Sequence, residues 1–226
     1  MKTQLQVKQT IDQIYFVAHG SLLIVIFCVC FAAMVTILES SFHMKLVIQN
    51  DSLVPGFAAM LILRELAVVV MALLLTARVG AGMAAEVGTM KVTEQIDALK
   101  MLGISPTGYI VIPRLIACTL GSICLAVIAN VACLYTAMLV SEVYLGFTSG
   151  LFVSAMIRFV TMKDFVFSII KATFFGATIP LICCFFGFRC RSGAEGVGLA
   201  TTNSVVASSV AIIIIDFILT YVFSVF

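Results

Sequence analysis

The sequence predicts an all-α polytopic membrane protein, and three observations support this prediction. Apolar residues make up 62% of the 226 residues, and charged residues make up only 11%. The mean hydropathy of +1.21 is too high for a protein whose whole surface faces water. Residues 15–38 and 115–141 contain no Asp, Glu, Lys or Arg, and a helix needs only about 20 such residues to cross a bilayer. Because backbone groups in lipid must bond to one another, these runs should be helices.

The N-terminal stretch, residues 1–15, is predicted to form a helix that lies in the membrane interface. Its apolar residues recur at helical spacing, and polar residues occupy the other face. The apolar set is Val7, Ile11, Ile14, Tyr15 and Ala18, and the polar set is Lys8, Gln9, Asp12 and Gln13. The alternative is a polar extension of the first span. A cleaved signal peptide is not expected, because the first lysines precede an amphipathic stretch.

Five membrane spans are predicted, at about residues 16–39, 54–77, 113–141, 165–188 and 203–226. Thr161 and Asp164 have the spacing of a capping box at the start of the fourth span. Gly103 and Pro106 fit the end of one helix and the start of another before the third span. Because no long tail or linker interrupts the chain, residues 1–226 are predicted to form a single domain.

The Lys and Arg residues predict the orientation of the spans in the membrane. The N-terminus, the second connection and the fourth connection together hold eight of them, whereas the first and third connections hold three. Positively charged connections stay in the cytoplasm. We therefore expect a cytoplasmic N-terminus and second connection, with the C-terminus on the far side.

Four ionisable residues fall inside predicted spans: Arg64, Glu65, Lys171 and Asp216. Each charge costs at least about 2.5 kcal/mol at a helix centre unless it is paired or wetted. Arg64 and Glu65 are about 100° apart on a helix, so we expect one to face a cavity and the other a neighbouring helix. Two interpretations follow. The four residues either contact the polar part of a substrate or form an ion-pair network that only fixes helix packing, with Lys171 extending to the membrane surface.

The second connection contains a segment, residues 84–102, that is predicted to form an amphipathic cytoplasmic helix. Val92, Ile96 and Leu99 share one stripe, and charged residues flank it. Such a helix suits docking into a groove on a partner protein. The alternative is a surface helix that packs back on its own bundle. No phosphate-binding G-x-x-x-x-G-K-[ST] loop is present, so this chain is not expected to hydrolyse nucleotide.

No metal or cofactor site is predicted. Of the eight cysteines, seven fall within apolar runs and Cys190 lies just past one, which is typical of small buried hydrophobic residues. His19 and His43 stand alone in the sequence.

Several motifs occur in a consistent order along nearly the whole chain. The first two are Arg64-Glu65-Leu66 and the turn Ala77-Arg78-Val79-Gly80. The third is AEVGTMKVTEQIDALKMLGISP, which is followed by Pro113-Arg114. The fourth is GAEGVGLATTNSVVAS, which begins at Gly193 and is followed by Asp216-Phe217. This pattern resembles the MlaE/YrbE family of ABC-transporter permeases.

The resemblance implies a permease subunit that moves phospholipid or a related lipid between membranes, driven by a separate cytoplasmic ATPase subunit. It also implies a homodimer, an MCE-domain protein on the outer side and membrane lipids as partners, and it allows for a STAS-domain protein. No nucleic-acid partner is expected. The implied location is the inner membrane of a bacterium, with the plastid inner envelope as the alternative.

The resemblance also assigns residues to roles. The family's coupling helix maps onto residues 84–102, so five polar residues of this helix would meet the ATPase: Glu86, Thr89, Lys91, Glu94 and Asp97. The triplet at Arg64 lies where family members face the lipid cavity. The chain departs from the pattern at Ala67-Val68, where Gly-Pro is usual, which predicts a straighter span. It also departs at Leu199 and Asn203, which replace arginines and weaken any anion or ATPase contact there.

Two rival functions remain at this point. The first is a secondary transporter or channel driven by an ion gradient, which the absence of an internal repeat disfavours. The second is a membrane scaffold that only docks an ATPase, which the energetic cost of the intramembrane charges disfavours.

Overall fold

The computed structural model describes residues 7–47, 53–191 and 193–225. Every regular element within these ranges is helical. The α-helices are α1 (Val7–Val47), α2 (Val54–Leu61), α3 (Ala67–Leu75), α4 (Ala81–Val92), α5 (Gln95–Met101), α6 (Ile112–Leu145), α7 (Ser149–Phe159), α8 (Met162–Phe188) and α9 (Gly193–Val225). Three π-helical turns, Ile62–Leu66, Thr76–Gly80 and Thr107–Val111, precede α3, α4 and α6.

Among the described residues, five helical stretches are long and apolar enough to cross a membrane, as predicted. They are Thr10–Met44, Val54–Val92, Thr107–Leu145, Met162–Phe188 and Gly193–Val225. Each predicted span overlaps one of these stretches, but the helices are longer. The second stretch passes through two π turns and ends at Val92, well beyond the predicted end at residue 77.

The N-terminal prediction is only partly within the described residues. Residues 7–15 are the first turns of α1 and continue without a break into the first span, whereas residues 1–6 lie outside the described ranges. The described part is thus an extension of the span rather than a separate helix. Its position in the membrane interface stays a prediction.

The chain forms two compact units. The first unit comprises Met1–Leu22, Ala72–Cys124 and Ala172–Phe226, and the second comprises Leu23–Met71 and Leu125–Lys171.

In the first unit, α4 packs closely against α8 and α9 because glycines stand at the contacts. A Cβ added at Gly187 of α8 would lie 2.7 Å from the Cβ of Val87 on α4, and one added at Gly88 of α4 would lie 3.6 Å from Val197 of α9. Between α8 and α6, a Cβ added at Gly176 would collide with Ser122. Small residues at such points let helix backbones approach, as is common between membrane helices. The Ser122 hydroxyl also donates to the Ala172 carbonyl at 2.9 Å.

In the second unit, α2 packs against α7, a short helix that was not predicted from the sequence. Gly56 and Ala59 are buried there, and a Cβ added at Gly56 would collide with the Phe159 ring. Asn130 of α6 donates to Ser168 of α8 at 2.7 Å, and both residues are buried. Polar contacts therefore reinforce apolar packing in this unit.

Candidate functional site

The first candidate site is an ion-pair cluster in the second unit, formed by the π turn Ile62–Leu66 and the start of α8. The Arg64 Nε atom donates to Asp164 Oδ1 at 2.7 Å. The Lys171 Nζ atom donates to Glu65 Oε2, also at 2.7 Å. The structure thus brings together three of the four predicted intramembrane residues, and it adds Asp164.

The two members of each ion pair differ in exposure. The side chains of Asp164 and Lys171 are fully buried, whereas those of Arg64 and Glu65 remain 37% and 36% exposed. The buried residues on α8 therefore hold the exposed residues in place. Because it is wholly buried, Lys171 does not extend to the membrane surface as one interpretation expected.

The prediction that Arg64 and Glu65 would face different surroundings is wrong, because both side chains bind α8. Asp164 and Lys171 are seven residues apart, two helical turns, and so lie on the same face of α8. Arg64 and Glu65 lie within a π-helical turn, where the helix is locally wider than an α-helix. Two consecutive long side chains can therefore reach one neighbouring helix.

Lys171 also supports the backbone of the π turn. Its Nζ atom donates to the Arg64 carbonyl at 3.0 Å and lies 5.0 Å from the centre of the Phe167 ring. The ammonium group thus has a carboxylate, a carbonyl and an aromatic face around it. These contacts offset the cost of burying its charge.

Asp164 was predicted only as a helix cap, and it performs that role as well. Its Oδ2 atom accepts hydrogen bonds from the backbone N–H and the hydroxyl of Thr161, both at 2.8 Å. Oδ1 is then left for Arg64. This second role was not predicted, because Arg64 and Asp164 are 100 positions apart and no local pattern links them.

Asp216, the fourth predicted residue, belongs to the first unit. It is half-buried on α9. A role for it in substrate binding stays a prediction from the sequence.

The second candidate site is the predicted coupling segment in the first unit, and its helical bounds differ from the prediction. Residues 84–92 form the end of α4, and α5 follows after a break at Thr93 and Glu94. Glu94 has a φ of 60°, the left-handed conformation. A single helix over 84–102 is therefore wrong, because this left-handed residue interrupts it. Gly103, with a φ of 73°, ends the segment as predicted.

The predicted apolar stripe of this segment packs mostly on the chain itself. Ile96 is 2% exposed and joins Val87, Ile110 and Cys184 in a buried cluster, and Leu99 packs against that cluster. Val92 is exposed at 36%. The inner face of the segment therefore agrees with the alternative prediction, a surface helix that packs back on its own bundle.

The outer face of the segment remains available. Thr89 and Glu94 are exposed, and Met101 and Leu102 are 90% and 73% exposed at the end of α5. The Glu86 side chain is 55% exposed and pairs with Arg114 at 2.8 Å. The segment thus has a buried inner face and a mixed polar and apolar outer face.

A charge cluster stiffens α5. The two carboxylate oxygens of Asp97 accept hydrogen bonds from Lys100 and Lys91, each at 2.8 Å. These bonds, from Lys100 first and then Lys91, lower the pKa of Asp97 to about 2. The Lys91 bond also ties the end of α4 to α5 across the break at Glu94.

Known proteins match this chain over most of its length. The family described as Permease MlaE matches residues 10–222. A probable ABC transporter permease protein of Rickettsia typhi is 34% identical over 220 residues, which cover 97% of this chain and 85% of the relative. Similar proteins of the same description occur in Pyropia yezoensis, 33% identical over 93% of this chain and 80% of the relative, and in Synechocystis, 32% identical over 95% and 81%.

Proposed function

Because this chain belongs to the MlaE permease family and is an ABC transporter permease rather than an enzyme, we propose that it moves phospholipid or a related lipid between membranes. A separate ATPase subunit supplies the energy. The observation that carries the proposal is the ion-pair cluster of Arg64, Glu65, Asp164 and Lys171 among apolar helices. Such buried charges are costly and usually mark a transport path.

The exposed parts of Arg64 and Glu65 are the proposed contact for a lipid headgroup. A guanidinium binds phosphate well because its N–H groups form a planar fork. Asp164 uses the Nε atom of Arg64 and so fixes the direction of the side chain. Lys171 holds Glu65 and acts as a positioning residue, and Asp216 is retained as a candidate contact from the sequence.

The outer face of α4 and α5 is the proposed contact for the ATPase subunit. Glu86, Thr89, Lys91, Glu94 and Asp97 supply its polar atoms. The exposed side chains of Met101 and Leu102 at the end of α5 are apolar, and they suit a groove on the partner. By the predicted orientation, this face lies in the cytoplasm.

The remaining partners follow from the family. We propose that the permease is a homodimer that works with an MCE-domain protein on the outer side and, in some assemblies, a STAS-domain protein. Its membrane is the inner membrane of a bacterium or the plastid inner envelope.

Reconstitution of the permease with its ATPase tests the proposal. Labelled phospholipid in donor vesicles should move to acceptor membranes only when ATP and the ATPase are both present. Transfer by the permease alone, driven by an ion gradient, would instead support a secondary transporter. Normal transfer by a variant in which Arg64, Glu65 and Lys171 are all apolar would remove the cluster from the transport path.

A further inference from the structure

The start of α6 contacts the segment formed by α4 and α5 in two ways. Ile110, in the π turn before α6, belongs to the buried cluster that also contains Val87 of α4 and Ile96 of α5. Arg114 lies four residues further along the chain, and its Nη2 atom binds Glu86 Oε2 of α4 at 2.8 Å. One apolar contact and one ionic contact therefore join the segment to α6.

The two members of this ion pair differ in exposure. The Arg114 side chain is 7% exposed, whereas the Glu86 side chain is 55% exposed. The Cys184 thiol of α8 lies beside the guanidinium, so Arg114 is enclosed between α4 and α8. The buried arginine thus holds one carboxylate oxygen of a residue that otherwise lies at the surface.

The ion pair differs in kind from the apolar packing beside it. Apolar burial has no preferred direction, whereas a guanidinium donates to a carboxylate in a fixed planar arrangement. A displacement of Glu86 therefore either moves Arg114 with it or breaks the pair. Breaking the pair is costly, because it leaves a buried charge without its partner. The pair is thus suited to pass a movement of α4 to α6.

We propose that Arg114 is a positioning residue for the coupling of ATP hydrolysis to lipid transfer. Through Glu86 it joins the outer face of α4, the proposed ATPase contact, to α6, which continues to Leu145 within a stretch long enough to span the membrane. Because its own side chain is buried, Arg114 acts on the ATPase only through Glu86. The inference rests on the proposed function.

A purely structural role for Arg114 predicts a different result. If the residue only stabilised the fold, its loss would lower ATP hydrolysis and lipid transfer together. If it passes movement to α6, the ATPase continues to hydrolyse ATP while less lipid moves. The number of lipid molecules transferred per ATP hydrolysed therefore separates the two roles.

The purified complex of the full-length permease with its ATPase is reconstituted in phospholipid vesicles. Transfer of labelled phospholipid and release of inorganic phosphate are measured on the same sample. Arg114→Gln keeps hydrogen-bond donors but removes the charge. Glu86→Gln makes the corresponding change at the exposed partner and leaves the buried side chains in place. Arg158→Gln makes the same chemical change at an exposed arginine of α7 and is the control.

Arg114→Gln and Glu86→Gln should each lower the lipid transferred per ATP by about fivefold or more, which is the lower end of usual coupling effects. The double variant should be no worse than either single variant, because both residues act through one contact. Arg114→Lys restores the charge and should recover part of the ratio. Arg158→Gln should leave the ratio unchanged.

Transfer and hydrolysis that fall in parallel, or single effects that multiply in the double variant, would overturn the proposal. If loss of the buried guanidinium prevents folding, the half-exposed Glu86→Gln decides the matter, and an unchanged ratio there would also overturn it. A wild-type complex that transfers no lipid with ATP would instead overturn the proposed function, and this inference with it.

Discussion

Lys171 is an ionisable residue, yet it is buried completely among apolar helices. It binds Glu65 and the Arg64 carbonyl, so its role is to hold the π turn and the carboxylate against α8. Removing one member of a buried ion pair leaves the other unpaired, which costs more than replacing both.

Lys171→Met should therefore lower the stability of the permease by about 3 kcal/mol, measured as a shift in the thermal unfolding transition in detergent. The double variant Glu65→Leu with Lys171→Met should recover most of this loss. Lys163→Met, an exposed lysine on the same helix, is the matched control and should change little. An additive double variant would show that the two side chains do not stabilise each other.

Arg64→Ala should reduce ATP-dependent phospholipid transfer by about tenfold, the effect of losing roughly 1.4 kcal/mol of headgroup interaction. Arg64→Lys keeps the charge but not the planar fork, so its loss should be smaller. Arg158→Ala removes an exposed arginine from α7 in the same unit and serves as the control. Unchanged transfer by a folded Arg64→Ala variant would contradict headgroup binding at this residue.

The carboxyl group of Asp97 should titrate near pH 2 rather than near its usual value of 3.8. Because the folded state lowers this pKa, the ionised group contributes stability above about pH 4, and that contribution is lost as the pH falls toward 2. A carbon-13 titration of labelled aspartate measures the value directly. Lys100→Met and Lys91→Met should each raise the pKa, and a wild-type midpoint near 4 would contradict the lysine contacts.

At the scale of elements, the break between α4 and α5 was not predicted from the sequence. The apolar stripe of 84–102 indicated one amphipathic helix, and Glu94 has an ordinary helix propensity. Its left-handed conformation follows from tertiary contacts, since Ile96 and Leu99 join the buried cluster with Ile110. A pattern of apolar residues predicts which side chains are buried but not where the backbone turns.

Glu94→Gly should keep the break and stabilise it by up to about 1 kcal/mol, because glycine adopts a positive φ without strain. Glu94→Pro should displace α5, since proline fixes φ near −65°. With the ATPase present, the Gly variant should keep most of the ATP-driven transfer and lose only the contact of the Glu94 carboxylate, whereas the Pro variant should lose ATP-driven transfer while its five spans still fold. Equal activity of both variants would show that the position of α5 does not matter for coupling.

Other elements were easier to predict. The spans follow from apolar runs too long for any structure but a helix in lipid, and Thr161 with Asp164 marked the start of α8.

The short helix α7 was missed because its eleven residues cannot span a bilayer and its packing against α2 depends on Gly56. The pairing of Arg64 with Asp164 joins residues 100 positions apart, and no local pattern encodes such a contact.

For the whole molecule, the predicted orientation can be tested by chemical labelling. In a cysteine-free background, Glu94→Cys should react with a membrane-impermeant thiol reagent only from the cytoplasmic side. Ser149→Cys, at the start of α7, should react only from the opposite side, because the connection before α7 carries few Lys or Arg residues. Labelling of both positions from one side would reject the five-span arrangement.

Two contacts of α4 with its neighbours are made at glycines, where one of the two surfaces is bare backbone. Gly187 of α8 meets Val87, and a Cβ added at Gly88 of α4 would lie 3.6 Å from the Val197 side chain of α9. At such a point no pair of side chains interlocks, and small sliding displacements of packed helices are a common form of conformational change. α4 is thus suited to slide along both neighbours when a partner displaces α5. A bulky side chain at residue 88 or 187 would oppose this movement.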